Sequence, residues 1–283
     1  MSVIKRTAEK ENKGLAAINI PRELYRNRKS TYTLAKNDFR QKFAGSYLGI
    51  VWAFVQPVMT ILVYWFVFSV GFKSSMVNNY PFVLFLTTGI IPWFFFSDAL
   101  SGGATSLMDY SYLVKKVVFN IDILPLVRVI SAFFVHLFFV AFGLLFLALY
   151  GYPPTVYTVQ LIYYMVCCTV LLLGLSYFNS AIVVFFQDLK QIINIVVLQI
   201  GMWMTPILWD SNRILVSHPT ILKLLKLNPV FYIVDGFRDC FLYHRWFFEK
   251  GVWTIYFWVV TIIIFVVGTG VFQRLKVHFA DVM

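Results

Sequence analysis

The placement of charge constrains this chain more than any other feature, because a helix that crosses lipid needs roughly 20 apolar residues and tolerates few ionised side chains. Five stretches contain no Asp, Glu, Lys or Arg at all. Lys42 to Lys73 encloses 30 such residues, with Val51 to Val70 the most apolar part, and Lys73 to Asp98 encloses 24. Each predicts one span. Arg128 to Asp188 encloses 59, punctuated by Gly151, Pro153 and Pro154, which predicts a hairpin of two spans. Lys190 to Asp210 encloses 19 and Lys250 to Arg274 encloses 23, giving a fifth and a sixth. Only 13% of the residues are charged, about half the share usual in soluble proteins. Lipid must therefore replace water over much of the surface.

An even number of spans places both termini on one side, and the excess of Lys and Arg flanking cytoplasmic ends says which side. The arm before Gly49 holds 11 of the 24 basic residues, and the predicted inner loops and tail bring the cytoplasmic share to 17. Both termini are predicted cytoplasmic. The net charge of +11 then concerns lipid headgroups and protein partners, with no call for nucleic acid.

No apolar run follows Lys5 and Arg6, so the start does not read as a cleaved signal peptide. Residues 1–21 are expected to be a disordered arm. Residues 22–48 are expected to form a basic amphipathic helix, with Tyr32, Ala35, Phe39 and Phe43 on one stripe and Lys36, Arg40 and Lys42 off it. Such a helix lies among cytoplasmic headgroups or packs on protein.

Between predicted spans five and six, residues 210–250 are apolar yet repeatedly charged, and Asn228 and Pro229 cut them into pieces too short to cross. Either a re-entrant helix pair or a small outer cap fits that pattern. Pro219 and Thr220 suit a helix start, with Ile221, Leu222, Leu224 and Leu225 as its apolar side. Asp235 and Asp239 stand one turn apart and invite ion pairing.

Convergent catalytic chemistry is missing. Cys167, Cys168 and Cys240 have no disulfide or zinc spacing and read as packing residues. His136 reads as a hydrogen-bonded residue of the bundle interior. No metal site and no G-x-x-x-x-G-K-[ST] phosphate loop occurs in the sequence. Aromatic residues make up 19% of the chain. Trp52, Trp93, Trp209 and Trp253 suit interfacial belts, and Tyr64, Trp65, Phe66 and Trp203 are candidates for a conduit lined with flat rings that contact sugars weakly.

The run Asp38-Phe-Arg-Gln-Lys-Phe-Ala-Gly-Ser-Tyr-Leu-Gly-Ile-Val-Trp-Ala-Phe-Val-Gln-Pro57 resembles the entry into the first span of type-2 ABC exporter permeases for cell-surface polysaccharides, the family of O-antigen, capsule and teichoic-acid exporters. Further matches follow in order. They are Gly89-Ile-Ile-Pro-Trp-Phe-Phe-Phe96, Leu113-Val-Lys-Lys-Val-Val-Phe119 with Leu124-Pro125, and Gln187-Asp-Leu-Lys190. Thr205-Pro206, Leu227-Asn-Pro229, Gly236-Phe-Arg238, Phe272-Gln-Arg-Leu-Lys276 and Phe279-Ala-Asp281 complete the series. Asn120 stands where the family often has Pro, and Gln187 where it commonly has Arg.

The resemblance implies an all-α integral membrane protein of the cytoplasmic (inner) membrane. Residues 49–283 are its six-span domain, the amphipathic helix lies at the membrane surface, and an outer re-entrant pair occupies 210–250. It implies a homodimer served by two cytoplasmic ABC ATPase subunits, which bind ATP and Mg, and a channel for an undecaprenyl-linked polysaccharide. This chain would bind no cofactor and perform no catalysis. The loop at 105–124 would seat in the ATPase as a coupling helix, with Tyr110, Tyr112, Leu113, Lys115 and Lys116 supplying apolar and basic contacts. A type-2 exporter of drugs or lipids would share this architecture. A membrane enzyme acting on lipid-linked sugar would instead need paired carboxylates or a metal cluster at the interface.

Overall fold

The computed structural model describes residues 26–42, 45, 47–73, 76–115, 120–211 and 218–283. The expected arm at 1–21, Phe43 and Lys116 lie outside them.

Helix α1 (Arg28–Lys42) precedes α2 (Trp52–Trp65), which a 3-10 turn extends back to Gly49 and a π-helical segment extends to Gly71. A hairpin then joins β1 (Met76–Val77) to β2 (Tyr80–Pro81). Its turn residues Asn78 and Asn79 take φ of 49° and 66°, the left-handed conformation that Asn tolerates and tight hairpins require. The all-α expectation thus misses one small sheet.

Helix α3 (Phe82–Asp109) is the centre of the molecule. It is apolar around its circumference, and 83% of its most apolar window is buried. A helix without a polar face must be surrounded. It runs through Asp98, so the loop after it opens at Tyr110 and not at residue 105. The short α4 (Ser111–Val114) follows.

Helix α5 (Leu124–Leu149) begins after a 3-10 turn at Ile121–Ile123. The Asn120 side chain accepts the Asp122 backbone N–H at 3.1 Å, and Pro125 occupies the first helical turn. Asn120 is therefore an effective cap at the position where the family often has Pro.

Helix α6 (Leu161–Val183) crosses α11 (Val252–Leu275) at backbone contact. A Cβ on Gly268 would fall 2.2 Å from the Gly174 carbonyl oxygen, and one on Gly174 would fall 2.8 Å from the Phe265 Cα. Such close approach maximises dispersion contact where lipid removes the hydrophobic drive between helices.

Among the described residues, five helical segments are long and apolar enough to cross a membrane: Gly49–Gly71, Phe82–Asp109, Ile121–Leu149, Val156–Val183 and Val252–His278. The predicted fifth span is shorter. It consists of α7 (Leu189–Ile192), a π-helical stretch and α8 (Gly201–Met204), together Leu189–Met204. At 1.5 Å per residue its length is about 24 Å, against a hydrocarbon core of about 30 Å.

The region after it holds α9 (Pro219–Lys226) and α10 (Pro229–Arg238), followed by a π-helical turn to Tyr243. The first starts at Pro219 as expected, and the second starts at Pro229, where the sequence predicts a break. On α9, Leu222 is buried while Ile221 and Leu224 are exposed, so its apolar side is only partly covered within one subunit. The last short helix, α12 (Phe279–Val282), buries Phe279 against Phe272 of α11.

Candidate functional site

One end of the bundle is organised by ion pairs between elements distant in sequence. Asp38 of α1 is buried, and its carboxylate faces Arg128 of α5 at 2.9 Å.

 Before Gly49 the sequence has 11 basic residues and four acidic ones; Asp38, the one acid of the four among the described residues, is turned inward. Arg128 also bonds Asp109 at the end of α3, at 2.6 Å. The hydroxyl of Tyr110 donates to Asp38, and the Arg128 guanidinium lies 5.2 Å from the centre of the Tyr110 ring. Burial, reinforced by the Asp38 acceptor, raises the Tyr110 pKa above its ordinary value, so the ring keeps its proton and remains a donor.

Two further ties surround this junction. Lys42, the last residue of α1, pairs with Asp98 of α3. Lys276, beyond α11, pairs with Asp122 at 2.6 Å, and the Tyr177 hydroxyl donates to the Asp122 carbonyl at 2.7 Å. Leu107, Tyr110, Val114, Leu124, Tyr177, Phe272 and Phe279 close into one apolar cluster beneath them.

The candidate coupling residues separate accordingly. Tyr110 faces inward, Leu113 packs at the margin of the cluster, and Tyr112 and Lys115 point outward. Lys116 lies outside the described residues. On α1 the buried positions are Thr31, Ala35 and Asp38, so the covered stripe is offset from the one expected. Tyr32 and Phe39 meet the edge of Phe134 on α5 at 6.0 and 6.2 Å, while Lys36 and Arg40 are exposed. The helix therefore packs on protein along one side and presents basic residues on the other.

At the opposite end, four separate pieces of the sequence pattern converge. Arg238 is buried, its guanidinium donating to the carbonyls of Pro206 and, at 2.9 Å, Ile207. It sits 3.6 Å over the Phe85 ring, and a Cβ on Gly89 would strike its Nη2 at 2.7 Å. Desolvation lowers the Arg238 pKa to about 10, and the side chain remains cationic at neutral pH. Asn228 bonds the Thr205 hydroxyl at 3.1 Å and caps the Val230 N–H at 3.0 Å.

Asp235 and Asp239 both contact Lys250, at 2.6 and 2.7 Å, and Arg245 joins Asp239 at 2.8 Å. The expected ion pairing is present, with Lys250 as its centre, whereas Arg238 between the two carboxylates points into the core.

The candidate conduit aromatics lie on two adjacent, poorly covered elements. Only 12% of the Gly49–Gly71 apolar window is buried. Trp65 and Phe66 are exposed on it, Trp203 is exposed on α8, and the Tyr64 hydroxyl reaches the Met202 sulfur at 3.8 Å between them. Trp93, expected in an interfacial belt, is instead buried in the core beside Phe96. The three cysteines are buried. His136 is buried too, yet neither ring nitrogen has a hydrogen-bond partner among the described residues, contrary to expectation; its ring stacks on Phe95 at 4.6 Å.

The family described as ABC-2 type transporter matches residues 29–242. The chain is 30% identical over 228 residues to the O-antigen export system permease protein RfbA of Myxococcus xanthus, covering 81% of this chain and 86% of the relative. A protein of the same name from Klebsiella pneumoniae is 26% identical over 253 residues, covering 88% and 93%. With apolar helices long enough to cross a bilayer several times and a family match over most of its length, the chain belongs to the ABC-2 type transporters.

Proposed function

We propose that the chain is the permease subunit of an ATP-driven exporter that moves lipid-linked O-antigen across the inner membrane. The observation that carries this reading is the similarity to O-antigen export permeases over more than four fifths of the chain. The relatives' names supply the substrate class; the undecaprenyl carrier is what the family resemblance implies.

In this reading Leu189–Met204 completes a six-span bundle with both termini cytoplasmic. Residues 210–250 form the re-entrant outer pair, which the core position of Arg238 and the capped break at Asn228 support. Two copies meet through the thinly covered first span and the short fifth helix, and Tyr64, Trp65, Phe66 and Trp203 border the path. A long hydrophilic polymer moves best along many weak contacts, because one tight site would arrest it. Two ATPase subunits holding ATP and Mg dock on Tyr112, Leu113, Lys115 and Lys116, while Tyr110 passes their motion inward.

Deletion of this gene in a strain that makes a long-chain surface glycan tests the reading. Loss of surface O-antigen with accumulation of the lipid-linked polymer inside supports it. Normal surface glycan with altered drug or lipid efflux would assign a different cargo to the same architecture.

A further inference from the structure

A cavity of about 300 Å³ opens at the end of the bundle that carries Lys250, among residues of α9, α10, the segment 245–250 and the first turn of α11. Lys226, Asp235, Arg245, Glu249, Lys250 and Trp253 line it. With Asp239, which binds both Lys250 and Arg245 from behind, three cations meet three carboxylates. The site has no net charge.

Its polar groups are open to the space and only partly spent on one another. The side chains of Arg245 and Asp235 are 53% and 26% exposed. Lys250 takes Oδ2 of Asp235, Arg245 uses Nε and Nη2 on Asp239, and Glu249 accepts the Trp246 N–H through Oε1 at 3.1 Å. Among the described residues, Asp235 Oδ1 and Glu249 Oε2 are left as acceptors and Arg245 Nη1 as a donor. Lys226 has no carboxylate partner among them either, and its ammonium stands 5.5 Å from the centre of the Trp253 ring. The wall is also fixed in advance. Gln160, 4% exposed, donates to the Arg245 carbonyl at 2.6 Å and accepts the Phe247 N–H at 2.9 Å, and the Thr254 hydroxyl donates to the Phe247 carbonyl at 2.7 Å. A preformed wall spares a ligand the entropy of ordering it.

We propose that this cavity binds one neutral pyranose ring of the glycan as it emerges, an inference that rests on the export reading above. A sugar hydroxyl both donates and accepts, so neighbouring hydroxyls bridge the spare carboxylate oxygens and the guanidinium, and the apolar face of the ring lies on Trp253. A phosphate drawn to Lys226 and Arg245 would confront Asp235 and Glu249, and an ammonium would meet the reverse; a neutral ring meets neither penalty. The volume stands at the low end of the about 300–1,000 Å³ usual for ligand pockets, which suits one ring and excludes a longer stretch of polymer. A Kd on the order of 1 mM is expected, weak enough to let the chain move on.

The full chain, purified in nanodiscs with the subunits it assembles with, is titrated with the methyl glycosides of glucose, galactose, mannose and rhamnose, and binding is read by saturation-transfer NMR. At least one should bind, with galacturonate and glucosamine about tenfold weaker. Trp253→Ala should lower the affinity about tenfold, equivalent to ~1.4 kcal/mol. Glu249→Gln keeps the bond to Trp246 and should narrow the gap between neutral sugar and galacturonate. Trp203→Ala should leave binding unchanged. No bound glycoside in the wild type, tighter binding of either charged sugar, or loss of binding in Trp203→Ala with retention in Trp253→Ala overturns the proposal. The wild-type outcomes decide the matter even if a variant fails to fold. Because binding is read without transport, normal export with no glycoside bound overturns the pocket alone. Binding that depends on Trp253, in a protein whose deletion leaves surface glycan intact, upholds the pocket and overturns the export reading.

Discussion

The hydroxyl of Tyr110, at the mouth of the loop after the second span, donates to the carboxylate of Asp38 on the helix that precedes the first. Arg128 holds the same carboxylate from a third helix. Tyr110, α1 and α5 are therefore tied together at one carboxylate.

Tyr110→Phe removes one buried hydrogen bond to a charged acceptor and should destabilise the chain by about 1.5–3 kcal/mol. Asp38→Asn should cost a comparable amount. Because both act on one network, the double variant should fall short of the sum by about 0.5–3 kcal/mol. Thermal unfolding of the four proteins in detergent checks this, and strict additivity would dissolve the network.

Tyr112 and Lys115 lie outward and should tolerate substitution without loss of fold. Tyr112→Ala with Lys115→Glu is expected to leave membrane insertion intact and to weaken coupling to the ATPase, with about a tenfold fall in export for each ~1.4 kcal/mol of contact removed. Export at the normal rate, measured beside ATP hydrolysis, would reject the coupling role.

The two glycines of α11 provide an internal contrast. Gly268 has the Gly174 carbonyl where a Cβ would go, whereas no atom lies within 4 Å of a Cβ on Gly270. Gly268→Ala should destabilise by about 1–3 kcal/mol through overpacking. Gly270→Ala should be harmless or add about 0.5–1 kcal/mol through helix propensity. Melting temperatures of the two variants decide between this crossing and a loosely packed pair.

Lys250 stands between Asp235 and Asp239. Replacing it with Met leaves the buried Asp239 and the half-buried Asp235 without their shared cation, and a loss at the lower end of about 3–5 kcal/mol is expected; a second change, Asp239→Asn, should restore part of it. Stability measurements on the single and double variants check the recovery.

The same cluster fixes the sign of an alkaline effect. Burial opposes the Lys250 charge, but Asp235 and Asp239 outweigh it and raise the pKa. A raised folded pKa means that the stabilisation is complete below the unfolded value of about 10.4 and declines as pH climbs through the folded one. Wild-type melting temperature should therefore fall more steeply above pH ~10.4 than that of Lys250→Met. Parallel profiles for the two proteins would remove Lys250 as the cause.

Long apolar runs disclose helices directly, and the charge-free intervals place α2, α3, α5, α6 and α11 well. The end of α3 is hidden because Asp98 interrupts the interval while its partner, Lys42, is 56 positions away. The hairpin is absent from the all-α expectation, although Asn78-Asn79 is a residue pair that tolerates its left-handed turn. Asp38 illustrates the opposite situation: in a basic arm its charge reads as part of a solvated face, and its burial follows from Arg128 and Tyr110, which no local pattern connects to it. Arg238 is similar. Sequence makes it a natural partner for the flanking aspartates, and only the packed carbonyls of Pro206 and Ile207 explain its turn inward.

The thin cover over the first span also separates two kinds of selection. Side chains such as Leu62, Val63, Phe66 and Val70 are exposed on the folded subunit, so changing one polar-tolerant position there costs the isolated fold little. A variant at these positions that inserts and melts normally yet fails in the cell must fail in what the subunit meets outside itself. Scanning these exposed positions therefore reads out assembly and passage with little contribution from folding, which no scan of α3 could do.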